Sequence, residues 1–436
     1  MYFSGPTTYA CINRIIHDTA FKHKHRLSER AFTRNRSLNF PTLMLYLLNL
    51  RKHSNQVELD QFFTAINDNN EATQLVTKSA FFQARKQLSP TAFIELNHQL
   101  IDTIYHSGHQ HETWKGFRLC AIDGSVIRLP PETDITDYFG VQKGRDGRAD
   151  CPMGMASVYY DLLNHLAIDA SINPKGTSER LCAQQHLAYA GDNDLIIYDR
   201  GYNAFWLYTL HIQHHHAFCM RARTNKDLLV KDFIASNKNE AVVTFTPRKI
   251  AIGICQQKGL PETPIQLRLI RVELDNEVEV LITNLMDTDQ YPAHIFKSLY
   301  HLRWGVEEHY KRLKQWVEIE NFSGKSTLSV QQDFYAKIVA ANLTALMALG
   351  AQQITAKETK HLKRNYQINF AQALSKMKHR IVHLVLHAHS DMSLLIERTL
   401  RYISRTVEAV RKGRSSPRKL KIIKNDIHYP AYKSAL

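Results

Sequence analysis

The chain has 436 residues, with 56 Lys and Arg against 41 Asp and Glu, a formal charge of +15. Hydrophobic residues make up 44% and charged residues 22%, an ordinary globular balance that supports two or three domains without disulfide or metal staples. The basic excess points to a polyanionic partner, nucleic acid above all, and no collagen-like, heptad or solenoid period is visible. The longest mostly apolar run, 338–350, is 13 residues and includes Asn342, too short to span a bilayer of about 30 Å, so no membrane partner is expected. The first 16 residues show no basic-then-apolar leader, and the six cysteines form no C-x-x-C pair, which reads as reduced thiols in a cytosolic protein.

Residues 1–115 read as a helical N-terminal DNA-binding region. Asn39-Phe40-Pro41 opens an apolar helix, with Pro41 suited to a first turn. Leu59, Phe62, Phe63 and Ile66 recur at helical spacing. A third helix over 77–87 starts after Thr77 and carries Lys78, Arg85 and Lys86, a basic face of the kind that ends a helix-turn-helix unit, or else a merely solvated face.

From 116 the period changes. Strands are expected at 117–122, 155–162, 165–172, 194–199 and 217–221, with helices over 178–190 and 202–214. This alternation argues a mixed α/β core, and its order is the ribonuclease-H-like one, assigned to 116–224 and 286–325. Residues 225–285 read as a mostly β insertion, with Val, Ile and Leu alternating against charge between turn signals. Residues 326–436 read as a helical C-terminal region, in which Val339 to Leu349 could be core or a contact between two copies. Its last 36 residues carry ten Lys and Arg against Glu408 and Asp426, a basic tail.

Asp123 and Asp199 each follow an apolar strand-like run, where an acid meets water or a cation, or caps a turn. Placed on one helix, Tyr300, Arg303, Glu307, Lys311 and Lys314 share a face, a carboxylate flanked by cations beside an apolar stripe of Leu302, Val306, Leu313 and Val317. Surface salt bridging would produce the same pattern. Glu308 lies about 100° round that helix from Glu307. Asp161 and Asp169 belong to the second and third strands. Glu179 reads most simply as a first-turn acid favoured by the helix dipole.

The spacing Tyr300-x2-Arg303-x3-Glu307-x6-Lys314 resembles the Y-R-E-K pattern of DDE transposases from bacterial insertion sequences, the family 4 type that includes the Tn-five and Tn-ten enzymes. Ile122-Asp123-Gly124-Ser125 and Tyr198-Asp199-Arg200-Gly201-Tyr202 look like that family's first and second acidic blocks, and Ile282-Thr283-Asn284-Leu285 like the strand returning before the third.

The resemblance implies a transposase that cleaves DNA at transposon ends and transfers the freed strands to target DNA. It implies that Asp123, Asp199 and Glu307 hold two Mg²⁺, with Mn²⁺ able to substitute. Tyr300, Arg303, Trp304, Lys311, Lys314 and Arg200 would grip DNA at the cut, Trp304 by stacking on a base or else serving as core filler. The partners implied are transposon-end DNA, target DNA and a second copy in a synaptic complex, in the bacterial cytoplasm at the nucleoid. Two other readings keep the same ancestry: a catalytically silent DNA-binding regulator, and a ribonuclease-H-like nuclease.

Overall fold

The computed structural model describes residues 5–34, 36–66, 75–107, 111–144, 149–224, 227–274, 277–387 and 392–410. The basic segment 413–419 within the tail lies outside them.

The N-terminal region holds helices α1 (Gly5–His17), α2 (Thr19–His25), α3 (Phe40–Leu48), α4 (Asn55–Ile66), α5 (Lys78–Arg85) and α6 (Thr91–His106). Asn39 caps α3 by accepting from Thr42 N–H, with Pro41 in its first turn, and Thr77 caps α5 by accepting from Ala80 N–H. The expected basic helix is therefore present, but Arg85 does not lie on its exposed face. Arg85 is 3% exposed. It donates to Asp333 at 3.1 Å, Gln332 at 2.9 Å and Ser323 at 2.9 Å. Arg51 meets the same Asp333 at 2.7 Å. One buried carboxylate thus ties α5 and the loop between α3 and α4 to a helix about 250 residues further along the chain.

The middle of the chain runs β1 (Arg118–Arg128), α7 (Thr133–Phe139), β2 (Val141–Gln142), β3 (Cys151–Asp161), β4 (Leu166–Pro174), α8 (Glu179–His186), β5 (Asp194–Tyr198), α9 (Phe205–Gln213) and β6 (Ala217–Arg221). It continues with α10 (Leu228–Ala235), β7 (Glu240–Phe245), α11 (Lys249–Lys258), β8 (Ile265–Glu273) and β9 (Val278–Thr283). The stretch read as mostly β thus also carries two helices. Among the described residues, one nine-stranded mixed sheet runs β2-β3-β1-β5-β6-β9-β8-β7, with β4 also on β3. β5 is parallel to β1 and to β6; the other ladders are antiparallel. The buried runs Leu119–Ile122, Leu195–Tyr198 and Phe218–Met220 explain why these strands are central: apolar on both faces, they need cover from both sides.

Asp123 was expected at a strand's end. It lies in the middle of β1, because β3 pairs with β1 from Cys120 to Arg128 and carries it through Gly124 and Ser125. Tertiary pairing overrides the weak strand preference of those two residues.

After the sheet come α12 (Phe296–His301), α13 (Trp304–Gln315), α14 (Thr327–Glu358), β10 (Tyr366–Ile368), α15 (Phe370–Met377), α16 (Arg380–Leu386), α17 (Met392–Ser404) and β11 (Val407–Ala409). β10 and β11 form a short antiparallel pair inside a stretch expected to be all helix. By length and composition α14 could cross a membrane, but 89% of its apolar window is buried inside the protein. It packs on β4, α3, α6 and α17. Val339, Leu343, Leu346 and Met347 are core, which removes this run as a contact between copies.

Candidate active site

β1 and β5 meet in parallel with Arg118 opposite Asp194 and Ala121 opposite Ile197. Carrying this register two residues further brings Asp123 level with Asp199, which follows β5 in extended backbone (φ −76°, ψ 168°). Neighbouring strands lie about 4.8 Å apart where they pair; this ladder ends at Ala121 and Ile197, two residues before each acid.

Asp123 is held from several sides. Its Oδ1 accepts from Gly124 N–H at 3.0 Å, and its main-chain carbonyl accepts from Tyr310 Oη at 2.9 Å. Burial pushes its carboxyl up to about 7; Glu179 and Glu307 add to the rise, while Arg303 and the Gly124 N–H oppose it. Asp199 precedes a 3₁₀ turn over Arg200–Tyr202, and Tyr300 Oη stands 3.5 Å from its Oδ1. Tyr300 is 8% exposed, so its hydroxyl faces Asp199 rather than open solvent.

The single helix expected over 300–314 is two. α12 ends at His301 and α13 begins at Trp304, joined by tight i→i−3 bonds from Leu302, Arg303 and Gly305. The break turns Leu302 outward, 37% exposed, while Val306 and Leu313 stay buried. Arg303 sits in the break and donates to Glu307 Oε1 at 2.8 Å. Its guanidinium lies 5.8 Å from both the Tyr300 and Trp304 ring centres. Trp304 is 51% exposed, which excludes the core-filler reading.

The remaining cations spread out. Lys314 Nζ donates to the Val126 carbonyl at 2.8 Å and so braces the far end of β1. Lys311 pairs with Glu308 at 3.5 Å on the exposed side of α13. Arg200 is exposed beside Asp199, and so are Lys78 at the start of α5 and Lys86 at its C-cap. Sequence reasoning missed Arg30, Arg34 and Arg36. They line a cleft of about 560 Å³ with Gln83 of α5 and Gln87 just after it, and nothing in their local pattern signals that a helix nearly 50 residues away closes the other wall.

It also underrated Glu179. This side chain lies against Gly124 and Gly201, the neighbours of the two aspartates, and its carboxyl is raised by burial and by Asp199. Among the described residues, no three Asp, Glu, His or Cys side chains are drawn close enough together to hold a metal ion. The donor chemistry nonetheless fits a hard divalent cation. The side chains in mutual electrostatic reach are carboxylates, Arg303 is the cation that offsets them at Asp123, and burial already disfavours the charged form there.

A family model described as a transposase DDE domain matches residues 114–343, more than half of the chain. The transposase InsG for insertion sequence element IS4 of Escherichia coli (strain K12) is 25% identical over 307 residues, covering 68% of this chain and 66% of that protein. InsZ of the same organism is 25% identical over 134 residues, covering 30% of this chain and 45% of InsZ. The chain thus spans less than two thirds of the length of either relative. A solved piggyBac transposase synaptic complex with hairpin DNA aligns over 94% of this chain and 87% of its own, at 11% identity and a TM-score of 0.42. The match to the family model extends from just before β1 into α14 and takes in Asp123, Asp199 and Glu307: the chain belongs to the transposase DDE domain family.

Proposed function

We propose that this protein is a transposase that cleaves DNA strands at the ends of its insertion sequence and joins the freed 3′ ends to target DNA. The observation that carries the reading is the parallel pairing of β1 and β5, with Asp123 in β1, Asp199 directly after the end of β5, and Glu307 of α13 among the charges that raise the Asp123 carboxyl. The strand order β4-β3-β1-β5-β6 supports a ribonuclease-H-like core, with β7–β9 and their two helices as an insertion that extends its sheet.

Asp123, Asp199 and Glu307 would hold Mg²⁺ or Mn²⁺. When bound, such ions supply a nucleophilic oxygen at neutral pH and stabilise the leaving 3′ oxygen. The chain's own groups do the positioning. Tyr310 fixes the backbone of Asp123 from inside the core. Arg303 holds Glu307 and, stacked beside Trp304, keeps that exposed ring at the site's edge, where a base can stack on it. Arg200, Lys311 and Lys314 offer positive charge to the DNA backbone, which positions it without reading sequence. Lys78, Lys86 and the arginine-lined cleft beside α5 form the surface for end DNA. Two copies acting on two ends would form the synaptic unit.

The test uses the full chain, Mg²⁺ and duplexes ending in the element's own terminal repeats. Nicks that leave 3′-hydroxyl ends, and their joining to a target plasmid, are the expected products. End binding without any cut would favour the silent regulator; cutting without joining would favour a nuclease.

A further inference from the structure

The cleft beside α5 has two unlike walls. One carries Arg30, Arg34 and Arg36; the other carries Gln83 and Gln87, with Ala80 and Ala84 beside them. On helical spacing Ala80, Gln83, Ala84 and Gln87 share a face, while Phe81, Arg85 and Leu88 turn inward and are buried. Both glutamine side chains are exposed, and among the described residues neither makes a hydrogen bond. Gln56 of α4 behaves otherwise: it donates to the Val76 carbonyl at 3.0 Å and accepts from Lys78 N–H at 2.8 Å, which fixes the start of α5.

The two walls are bonded to each other. Leu27 N–H donates to the Gln87 carbonyl at 2.9 Å and Ser89 N–H to the His25 carbonyl at 2.8 Å. Phe32, between Arg30 and Arg34, has φ 57°, a conformation that bulky side chains rarely adopt, and its ring meets Phe40 edge-on at 5.4 Å. A solvated helix face would account for exposed glutamines. It would not account for the opposite wall of three arginines, which, like Lys78 and Lys86, have no carboxylate partner among the described residues. Phosphates relieve the mutual repulsion of such a group. A glutamine amide also matches the major-groove edge of adenine: Nε2–H donates to N7, and Oε1 accepts from N6–H. An alanine methyl beside it suits the methyl of the paired thymine, and the absence of bulk at Ala80 and Ala84 lets bases come close.

We propose that Gln83 and Gln87 read A·T base pairs of the element's ends in the major groove, while Arg30, Arg34 and Arg36 hold phosphates of the bordering strand and set the register. This rests on the reading of the cleft as the surface for end DNA. The test is competition binding of the full chain to its terminal repeat and to random duplex, with 7-deazaadenine replacing one adenine at a time. Loss of N7 at the contacted adenines should weaken wild-type binding about tenfold. Gln83→Ala and Gln87→Ala should each lower the preference for end over random DNA about tenfold, and each should become indifferent to 7-deazaadenine at the position its side chain reads. Arg36→Gln should instead weaken binding to both duplexes alike and make the salt dependence shallower. If a glutamine variant fails to fold, the wild-type scan decides alone. A wild-type chain that tolerates 7-deazaadenine within twofold at every position, or glutamine variants that keep the full preference, overturns the base-reading role. If the ends are nonetheless cut and joined in Mg²⁺, the transposase reading stands without it. Base reading without any cut would uphold the glutamines and favour the silent regulator.

Discussion

Asp123 and Asp199 are separated by 76 residues, and so are the ladder partners Arg118 and Asp194 on the same two strands. The sequence distance between the acids is therefore the register of the β1–β5 pair. Parallel strands in register project corresponding side chains to the same face, and Asp199 follows the last residue of β5 directly, so the register of this pair governs where both acids emerge. Shifting either strand by one residue would turn one acid to the opposite face.

Removing any one of these two acids or Glu307 should abolish strand cleavage while leaving end binding nearly unchanged. Asp123→Asn, Asp199→Asn and Glu307→Gln are each expected to lower the cleavage rate by about 10³-fold or more, on the scale of several kcal/mol of lost transition-state stabilisation. Glu308→Gln should cut at close to the wild-type rate, since Glu308 is 58% exposed and its ion pair among the described residues is with Lys311, at 3.5 Å. Cleavage by the first three variants at the wild-type rate would remove the site.

Arg85 and Lys86 are neighbours with opposite expected effects. Arg85→Ala takes from the fully buried Asp333 one of the arginines paired with it and should cost about 2–5 kcal/mol of stability. Lys78→Ala and Lys86→Ala are exposed and should stay within about 0.5 kcal/mol of wild type. Their effect should appear in end-DNA affinity and in a shallower salt dependence. Chemical denaturation and a salt titration of binding separate the two.

Trp304→Ala tests the exposed ring. Stability should change little, because half of the side chain already faces solvent. If a base stacks there, affinity for DNA with an unpaired base at the cut should fall by about 1–3 kcal/mol, with little change on fully paired DNA. Equal losses on both substrates would assign Trp304 to general packing.

Asp169 provides a pH test away from the site. His186 Nδ1 lies 2.7 Å from one of its oxygens and His98 Nε2 lies 2.9 Å from the other. Although burial opposes ionisation, these bonds bring its carboxyl from the ordinary 3.8 down to about 2. A depressed acid stabilises the fold above its unfolded value, so the contribution is full above about pH 4 and is lost as pH falls through 2. Asp169→Asn should therefore lower unfolding free energy by about 2 kcal/mol at neutral pH, with the difference shrinking below pH 4. A constant difference from pH 2 to 7 would reject this account.

Much of this molecule was legible along the chain. Apolar runs marked β1, β3, β4, β5 and β6, because strands covered on both faces must be apolar on both. The same runs drew attention to Asp123 and Asp199, since charge beside such a run is conspicuous. The starts of α3 at Asn39-Phe40-Pro41 and of α5 after Thr77 were readable for a similar reason: what fixes a helix start is a contact between residues about three apart. Tertiary structure alone decided the features that depend on distant partners. β1 runs on to Arg128 because β3 offers hydrogen bonds that far. The helix breaks at Leu302–Arg303 although the periodic stripe runs across it, and Leu302 turns to solvent as a result. Arg85 is buried because Asp333 approaches from α14, and an arginine on a basic helix looks the same in sequence whether or not such a partner exists. Glu179 shows the limit most sharply. Its sequence neighbours define a helix start, whereas its spatial neighbours, Gly124 and Gly201, are brought to it only when β1, α8 and the turn after β5 pack together. Sequence alone determined which segments alternate or repeat and which residue types they carry; burial, register and the company each charge keeps are properties of the packed chain, because they depend on contacts between residues far apart in sequence.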